Sequence, residues 1–431
     1  MEIALLIIVF VGLFALGVPI AICIGLSTLA TMVVTMDFLP AATTIAQRMA
    51  GGLNSFALLA IPLFILSGQL MAQGGIARRL IEFSKAMIGM VPGGLAFVNV
   101  ISCTLFGAIS GSSIAATTAV GSFMIPEMKK EGYDKNFSAA VTVTSATTGL
   151  LIPPSNTLIV YAVASGGVSI AALFVAGYVP GLMISIATLV VCAIYARRNN
   201  MPAGERVSAR VALKYTIAAL PSLFLIVLVI GGILAGIFTA TEAGAIAVLY
   251  ALLLSAVVYR EIDLADIASI CLKAAQTTAV VMFLIAASIA MSWILAYQNI
   301  PTMVAEALVG VSDNPIVILL LINIVLLLVG IFMDMTPAVL IFTPILLPVA
   351  IELGMSPLHF GIMMVLNLCI GLCTPPVGTI LFVGCALAKT TINRMVRPMI
   401  PMYAAMFVVL MLITYIPELS EGLPRFFGLI D

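Results

Sequence analysis

An acidic residue, Asp334, lies in the middle of a long apolar run, within the segment GIFMDMTPAVL (330–340). A carboxylate inside a bilayer is costly, so an acid at such a position is a functional-site hypothesis by default. The side chain could bind or attract a cation, or it could carry a coupling proton. A structural alternative stays open, in which the carboxylate caps the helix that begins near Pro337.

Two double prolines interrupt other apolar runs, in GLLIPPSNTL (149–158) and GLCTPPVGTI (371–380). Proline has no N–H and disrupts the hydrogen-bond ladder of a helix, which frees carbonyl groups. Unsatisfied backbone groups are expensive at membrane depth, so such breaks persist where protein, water or a ligand satisfies them. Freed carbonyls together with Ser, Thr and Asn oxygens suit a small alkali cation. The N-terminus of the following half-helix favours an anion.

Each break has a polar partner segment earlier in the chain. The first partner, GAISGSSIAATTAVGS (107–122), is rich in hydroxyls and can turn at Gly111, and the second contains Asp334. We expect each segment to be the tip of a helical hairpin that closes on its break, which predicts two cation sites. For the first tip, a small-residue helix-packing face is the alternative interpretation.

Two other polar residues receive structural interpretations. Glu242, in FTATEAGAIA, is a membrane-level acid near a predicted turn, which favours an N-cap or interfacial role over a role in a site. His359 is the only histidine and follows MSPL at a predicted helix start. The sequence offers no Ser/His, paired-Asp or HExxH constellation at membrane depth, so we do not expect an enzyme.

The elements that must position these residues are membrane helices. The chain has 431 residues, of which 63% are hydrophobic and 8% charged, with a mean hydropathy of +1.27. Soluble chains carry about 25% charged residues, and one membrane helix needs about 20 apolar residues. The period-two segments of a barrel are absent. The predicted fold class is therefore an all-α polytopic membrane protein.

Basic residues lie in tight groups between the apolar runs, and cytoplasmic loops accumulate Lys and Arg. Placing every group in the cytoplasm leaves only Arg48 and Arg425 of the 18 basic residues outside, and both termini are then extracytoplasmic. The predicted spans are 3–16, 19–36, 56–71, 169–196, 215–238, 240–259, 277–297 and 399–416, with re-entrant hairpins at 92–128 and 314–353 and broken helices at 136–166 and 357–388. Amphipathic segments at 75–90 and 260–275 predict helices in the membrane interface.

An internal repeat relates the two halves. At a shift of 222 residues, Gly149 aligns with Gly371 and Pro153 with Pro375. The predicted topology gives the two copies opposite orientations, because the first hairpin enters from the cytoplasm and the second from outside. Inverted repeats with interrupted helices are the architecture of secondary transporters, whose substrate and ions bind near the midplane at the breaks.

The segments GLCTPPVGTILFV, GIFMDMTPAVLIFTPILLP, GLLIPPSNTLIVYAV and GIFTATEAGAIA resemble the large membrane subunit of tripartite ATP-independent periplasmic (TRAP) transporters, the DctM/SiaM family. The resemblance runs end to end. It implies a fold similar to the divalent anion/sodium symporters, with a rigid scaffold and a transport domain that moves as an elevator in the bacterial inner membrane. It also implies coupling to Na+, two or more ions per cycle, without an organic cofactor. The implied partners are a small four-helix membrane subunit and a periplasmic substrate-binding protein.

The resemblance also implies a division of the chain and a set of site residues. The scaffold would comprise 1–91 and 197–313, the transport regions 92–196 and 314–398, and a C-terminal helix and tail 399–431. Sodium site 1 would comprise Ser110, Gly111, Ser112, Gly149, Pro153 and Asn156; sodium site 2 would comprise Gly330, Asp334, Thr336, Gly371, Thr374 and Pro375; and Ser113, Asn156 and Thr379 would contact the substrate.

The predicted function is the large permease subunit of a sodium-driven transporter that imports an organic acid, either sialic acid or a C4-dicarboxylate. No Lys or Arg is expected at membrane depth, so neutral donors would hold the carboxylate. The alternatives are a stand-alone sodium/organic-anion symporter of the same superfold and a passive channel.

Overall fold

The computed structural model describes residues 2–201, 203–204, 207–312 and 314–430. Within these ranges all named secondary-structure elements are helices. Eight of the described helices are long and apolar enough to cross a membrane, and five shorter helices are also apolar. The predicted fold class, an all-α polytopic membrane protein, is confirmed.

The helices follow one another with short connections. They are α1 Glu2–Ala15, α2 Ile20–Thr35, α3 Phe38–Leu53, α4 Ala60–Gln73, α5 Ile76–Ile88, α6 Gly94–Ser110, α7 Ser113–Lys130, α8 Lys135–Ala146, α9 Asn156–Ala164, α10 Ile170–Arg198, α11 Ala209–Leu234, α12 Ala240–Leu252, α13 Leu264–Tyr297, α14 Ile300–Val309, α15 Pro315–Phe332, α16 Met335–Glu352, α17 Pro357–Leu372, α18 Thr379–Ala388, α19 Ile392–Tyr415 and α20 Glu418–Phe426. Short 3₁₀ segments precede α4 and follow α8, and a π segment, Leu253–Val258, extends α12.

Both predicted hairpins and both predicted broken helices are present. Helices α6 and α7 form the first hairpin, and α15 and α16 form the second. The first broken helix consists of α8 with its 3₁₀ extension and α9, interrupted at residues 151–155. The second consists of α17 and α18, interrupted at residues 373–378. The double prolines thus stand where each helix stops.

Parts of the interface prediction are wrong. The segment 260–275 is not a separate helix, because its residues from Leu264 onward continue into the next span as the 34-residue α13. That helix contains neither Gly nor Pro, so nothing in its sequence ends it early. Helices α3, α14 and α20 were not predicted, since their apolar stretches are too short to read as spans. The segment 75–90 does form a helix, α5, as predicted.

The structural interpretations of Glu242 and His359 are confirmed. Glu242 and Thr239 form a reciprocal capping box at the start of α12, in which the Glu242 carboxylate accepts from the Thr239 backbone N–H at 2.8 Å. The His359 ring is buried, with Nδ1 2.5 Å from the Ser420 hydroxyl. It therefore fixes α20 on the N-terminal end of α17.

The repeat extends over nearly the whole chain. Moving each first-half helix by 222 residues brings it onto a second-half helix: α6 onto α15, α7 onto α16, α8 onto α17 and α9 onto α18. The Cys369 thiol lies 3.6 Å from the carbonyl oxygen of Thr147, its equivalent 222 residues earlier. Two equivalent positions can touch only near a symmetry axis, so a pseudo-twofold axis passes where the two broken helices cross.

The two halves are interlocked rather than side by side. Helix α9 packs against α16 and α17 of the other half, and α18 packs against α7 and α8 in the equivalent way. Elsewhere α4 packs against α12, and α2 against α13. The packing groups hairpins and broken helices together, whereas the division at residues 91, 196, 313 and 398 stays a prediction, with residue 313 outside the described residues.

The opposite orientation of the halves also stays a prediction, and it has a simple arithmetic basis. If α1, α2, α4, the first broken helix and α10 each cross the bilayer while the hairpin returns, an odd number of crossings separates the two copies. An odd number reverses the orientation.

Arg48, one of the two exceptions to the charge rule, has its guanidinium carbon 5.2 Å from the centre of the Trp293 ring.

Candidate functional site

The first hairpin tip is a tight turn between two helices. Helix α6 ends at Ser110, Gly111 adopts a left-handed conformation with φ +60°, and Ser112 caps α7 by accepting from the Ala115 N–H at 3.3 Å. A Cβ at Gly111 would lie 2.5 Å from the Pro154 carbonyl oxygen. Glycine is therefore required both for the turn and for the close approach of the tip to the break.

The first break brings backbone and hydroxyl oxygens to the same place. The Ser155 hydroxyl donates to the Leu150 carbonyl at 2.5 Å and accepts from the Leu158 N–H at 3.4 Å, so it starts α9. The peptide bond between Pro153 and Pro154 is cis. Hairpin and break touch at Gly149, where a Cβ would lie 2.4 Å from the Cα of Gly107.

The second tip carries the acid. Asp334 occupies the N-cap position of α16 but makes no side-chain capping hydrogen bond. Its carboxylate instead accepts from the Thr379 hydroxyl at 3.4 Å, across the gap to the start of α18. The position is that of the capping alternative raised from the sequence, although the side-chain capping hydrogen bond itself is absent. The carboxylate joins the hairpin tip to the break.

Two hydrogen bonds hold the second break, one within the broken helix and one to the hairpin. The Thr374 hydroxyl donates to the Ile370 carbonyl at 2.7 Å, and the Gly378 N–H donates to the Ile331 carbonyl of the hairpin at 3.4 Å. A Cβ at Gly371 would lie 2.6 Å from the Cα of Gly330. The two glycine contacts, one in each half, allow each hairpin to lie directly on its broken helix.

Both tips line one space, which we call the inner cavity, with a volume of about 200 Å³. Helix ends beside the two breaks also line it, through Leu150 and Asn156 at the first and Leu372 at the second. The N-termini of three helices, α7, α9 and α16, reach this cavity through Ser113, Asn156 and Thr336. Helices α4 and α13 form the opposite wall. Three helix N-termini directed at one space favour an anion there.

A wider space of about 700 Å³, which we call the mouth, adjoins the inner cavity. It runs along α7 and reaches Arg78 and Glu261, whose side chains form an ion pair at 3.0 Å. Arg79 joins the same carboxylate at 3.3 Å. These basic residues belong to a group that the charge rule places in the cytoplasm, so the mouth faces the predicted cytoplasmic side.

The structure brings half of the fourteen predicted site residues together around the inner cavity. Those that line the inner cavity are Ser110, Gly111, Ser112, Ser113, Asn156, Asp334 and Thr336. Gly149, Pro153, Gly330, Gly371, Thr374 and Pro375 lie in the tips and breaks without lining it, and Thr379 contacts Asp334 rather than the cavity. Their roles in binding stay predictions. Sequence reasoning missed Gln69 and Thr277 of the opposite wall, because only the packing of α4 and α13 brings them there.

The donor set suits a hard cation. The side-chain oxygen of Asn156 is buried and has no hydrogen-bond partner in the described structure, so it is available to accept from, or coordinate, a molecule or ion in the cavity. Hydroxyl, amide, carboxylate and backbone oxygens surround both tips, and oxygen ligands are those that hard cations prefer. No group of three or more His, Cys, Asp and Glu side chains that could hold a metal occurs among the described residues.

Comparison with known proteins decides the family. The model of the family described as "Tripartite ATP-independent periplasmic transporter, DctM component" matches residues 7–419. The chain belongs to the DctM family. DctM proteins are permease components of transporters, and the predicted recognition is thereby confirmed.

Relatives of this DctM protein cover it almost completely. It is 51% identical to the uncharacterized protein YgiK of Salmonella typhimurium, over 97% of this chain and 96% of that protein. It is 39% identical to the C4-dicarboxylate TRAP transporter large permease protein DctM of Rhodobacter capsulatus, over 97% and 98% of the two chains. It is 37% identical to the sialic acid TRAP transporter large permease protein SiaM of Vibrio cholerae, over 97% of each.

A solved structure supports the fold of this DctM chain. The YdaH transporter of Alcanivorax borkumensis superposes with a TM-score of 0.58 over 88% of each chain, at 15% sequence identity. At that identity the likeness concerns the fold alone.

Proposed function

We propose that this DctM protein is the large permease subunit of a sodium-driven transporter that imports an organic acid across the bacterial inner membrane. One observation supports this most directly: both hairpin tips and the helix ends beside both breaks line a single cavity, and α4 and α13 form its opposite wall. A shared space at interrupted helices is what coupled binding of ions and a substrate requires. Its partners in the tripartite transporter would be a small four-helix membrane subunit and a periplasmic substrate-binding protein.

The substrate is an anion of the sialic acid or C4-dicarboxylate class. No Lys, Arg or His lines the inner cavity among the described residues, so the carboxylate is held by neutral donors and helix N-termini. Ser113 and Asn156, at the starts of α7 and α9, are the residues best placed for this role. Thr379 acts indirectly, through its hydrogen bond to Asp334.

Sodium ions are co-transported cargo at the two tips. The first site would use oxygens of Ser110, Ser112 and Asn156, and the second would use Asp334, Thr336 and Thr374. Positive charge beside the helix N-termini raises the affinity for a carboxylate, and the carboxylate does the same for the cations, because binding free energies are coupled reciprocally. That reciprocity makes uptake dependent on the sodium gradient.

Transport would proceed by movement of hairpins and broken helices as one body along α4 and α13. The contacts of the hairpins with α5 and α14 differ between the halves. Of its hairpin, α5 contacts mainly α6, whereas its repeat equivalent α14 contacts mainly α16, the second helix of its own hairpin. Such an asymmetry is expected for a state that is open on one side. Since the mouth faces the predicted cytoplasmic side, this is the inward-facing state, and exchanging the two sets of contacts would give the outward-facing one.

The test is uptake into proteoliposomes that contain this chain, its small subunit and the binding protein, with radiolabelled N-acetylneuraminate, L-malate and succinate. We expect uptake of at least one acid under an inward sodium gradient, and none when potassium replaces sodium. Uptake that persists in potassium would contradict sodium coupling. Undiminished uptake without the small subunit and the binding protein would instead favour a stand-alone symporter.

A further inference from the structure

The inner cavity and the mouth share five lining residues, and we call the region that these residues surround the neck. Two residues of the scaffold wall, Gln69 and Thr277, face the first hairpin there and line both spaces. On the hairpin side, Ser112, Ile114 and Ala115 also line both. Anything that passes between the cavity and the predicted cytoplasmic side therefore moves between these two groups of residues.

Gln69 is the unusual member of the neck. It lies in the candidate span 56–73, among apolar neighbours, and is half-buried. Its carboxamide makes no hydrogen bond to another residue of the described chain. Thr277, by contrast, is satisfied by donating to the Lys273 carbonyl at 3.0 Å. The carboxamide lines two open spaces, so its donors and its acceptor are available to a molecule that occupies the neck.

The neighbour of Gln69 fixes its distance from the hairpin tip. A Cβ at Gly68 would lie 2.9 Å from the carbonyl oxygen of Ser110, so the backbone of α4 is in direct contact with the tip. Gln69 is the next residue, and its side chain shares the cavity with Ser112 and Ser113. A substrate bound at the tip is thus within reach of the carboxamide.

The two walls offer different chemistry. The hairpin wall presents helix N-termini and hydroxyl groups, which favour the negative carboxylate. The scaffold wall presents one neutral carboxamide, which has both donors and an acceptor. A carboxylate could use only the two N–H donors, whereas a hydroxyl or an amide of the substrate can pair with the carbonyl oxygen of Gln69 as well.

We propose that Gln69 is a specificity-determining residue that hydrogen-bonds an uncharged polar group of the substrate, a hydroxyl or an amide, while the N-termini of α7 and α9 hold the carboxylate. This assignment rests on the proposed function of the cavity. A site built to pair with a polar group rejects the analogue that lacks the group, because its own polar atoms are then left unpaired. Gln69 therefore makes the transporter prefer the hydroxylated member of a pair of acids.

The experiment is a double-mutant cycle between protein and substrate in proteoliposomes with both partner proteins. Half-saturating concentrations are measured for two pairs that differ by one hydroxyl, L-malate with succinate and N-acetylneuraminate with its 9-deoxy form. The variants are Gln69→Leu, Gln69→Asn and the control Gln47→Leu, an exposed residue of α3 that lines neither space. For a pair of acids that is transported, we expect the half-saturating concentration of the hydroxylated acid to be about tenfold lower than that of its analogue in wild type and in the control. In Gln69→Leu we expect the two concentrations to differ less than twofold. The half-saturating sodium concentration stays the same.

The outcomes separate this inference from the proposed function. Active transport by Gln69→Leu with the wild-type preference overturns the role of Gln69 and leaves the proposed function intact. If wild type takes up none of the acids under a sodium gradient, the proposed function fails for this substrate class, and the inference falls with it. If Gln69→Leu does not assemble, Gln69→Asn decides, because it keeps the amide but withdraws it by one methylene. An unchanged preference in Gln69→Asn overturns the inference.

Discussion

The contact between Gly68 and the first hairpin tip provides a direct test of relative movement. Gly68 belongs to α4 of the predicted scaffold, and Ser110 belongs to the moving body proposed above. In this structure a Cβ at position 68 would lie 2.9 Å from the Ser110 carbonyl oxygen, a backbone atom that cannot rotate away. The substitution Gly68→Ala therefore introduces strain in the inward-facing state and relieves it in any state where the tip has moved.

The size of the effect follows from the geometry. Overpacking costs about 1–3 kcal/mol, and a Cβ 2.9 Å from a backbone oxygen is closer than real Cβ atoms come, so we take about 1 kcal/mol as the lower bound of the cost. A difference of 1.4 kcal/mol is about tenfold in an equilibrium constant, so we expect the inward-facing population of Gly68→Ala to fall about fivefold relative to the other states. Gly25→Ala is the control, because a Cβ there has nothing within 4 Å.

The assay is alkylation of a reporter in the mouth. Thr118 is exposed and lines the mouth, so Thr118→Cys is labelled by a hydrophilic maleimide when the mouth is open. A Cys271→Ala background removes the exposed cysteine among those described. We expect slower labelling in Gly68→Ala, by about fivefold when the inward-facing state is the minor state of the wild type and by less when it is the major one. We expect no change in Gly25→Ala. Equal labelling rates in folded Gly68→Ala and wild type would refute the idea that the tip moves past α4.

Three further predictions concern the tips and breaks. Asp334→Asn, which removes the charge beside Thr379, should raise the half-saturating sodium concentration at least tenfold; an unchanged sodium curve in proteoliposomes would argue against a coordinating carboxylate. Gly371→Ala places a Cβ 2.6 Å from the Gly330 backbone and should abolish sodium-dependent uptake. Gly354→Ala is the control, because a Cβ there has nothing within 4 Å although φ is +85°. It should lower only the free energy of unfolding, by about 1 kcal/mol. Pro375→Ala combined with Pro376→Ala restores two N–H donors at the second break and should stop uptake while expression continues; wild-type uptake by this variant would show that the interruption is dispensable.

The elements that carry the site could be predicted because their sequence signals are local. Proline pairs, Gly111 and Asp334 interrupt apolar runs, and each interruption coincides with a helix end in the structure. The continuity of α13 was missed because charged residues near its start suggested an interface, although no residue in it breaks a helix. Apolar content alone does not separate an arm from a span.

The tertiary contacts of the site could not be predicted from the sequence. Gly149 and Gly371 align at the repeat's shift of 222 residues. The glycines that they contact, Gly107 and Gly330, are 223 residues apart and therefore do not align at that shift. No sequence motif marks Gln69, and only the packing of α4 against the tip brings it to the cavity. The assignment of individual residues to ions or substrate likewise stays a prediction, since it depends on oxygen positions that spacing does not determine.

The central claim is that interrupted helices of two oppositely oriented halves form one cavity for sodium and an organic acid. The most direct measurement is a pair of cryo-electron microscopy maps of the complete transporter in lipid nanodiscs, one with sodium and the transported acid and one with potassium alone. We predict unwound backbone at 151–155 and 373–378, with density beside both tips and between Ser113 and Thr336 in the sodium map alone. Continuous helices through both proline pairs, or identical maps in the two conditions, would contradict the account.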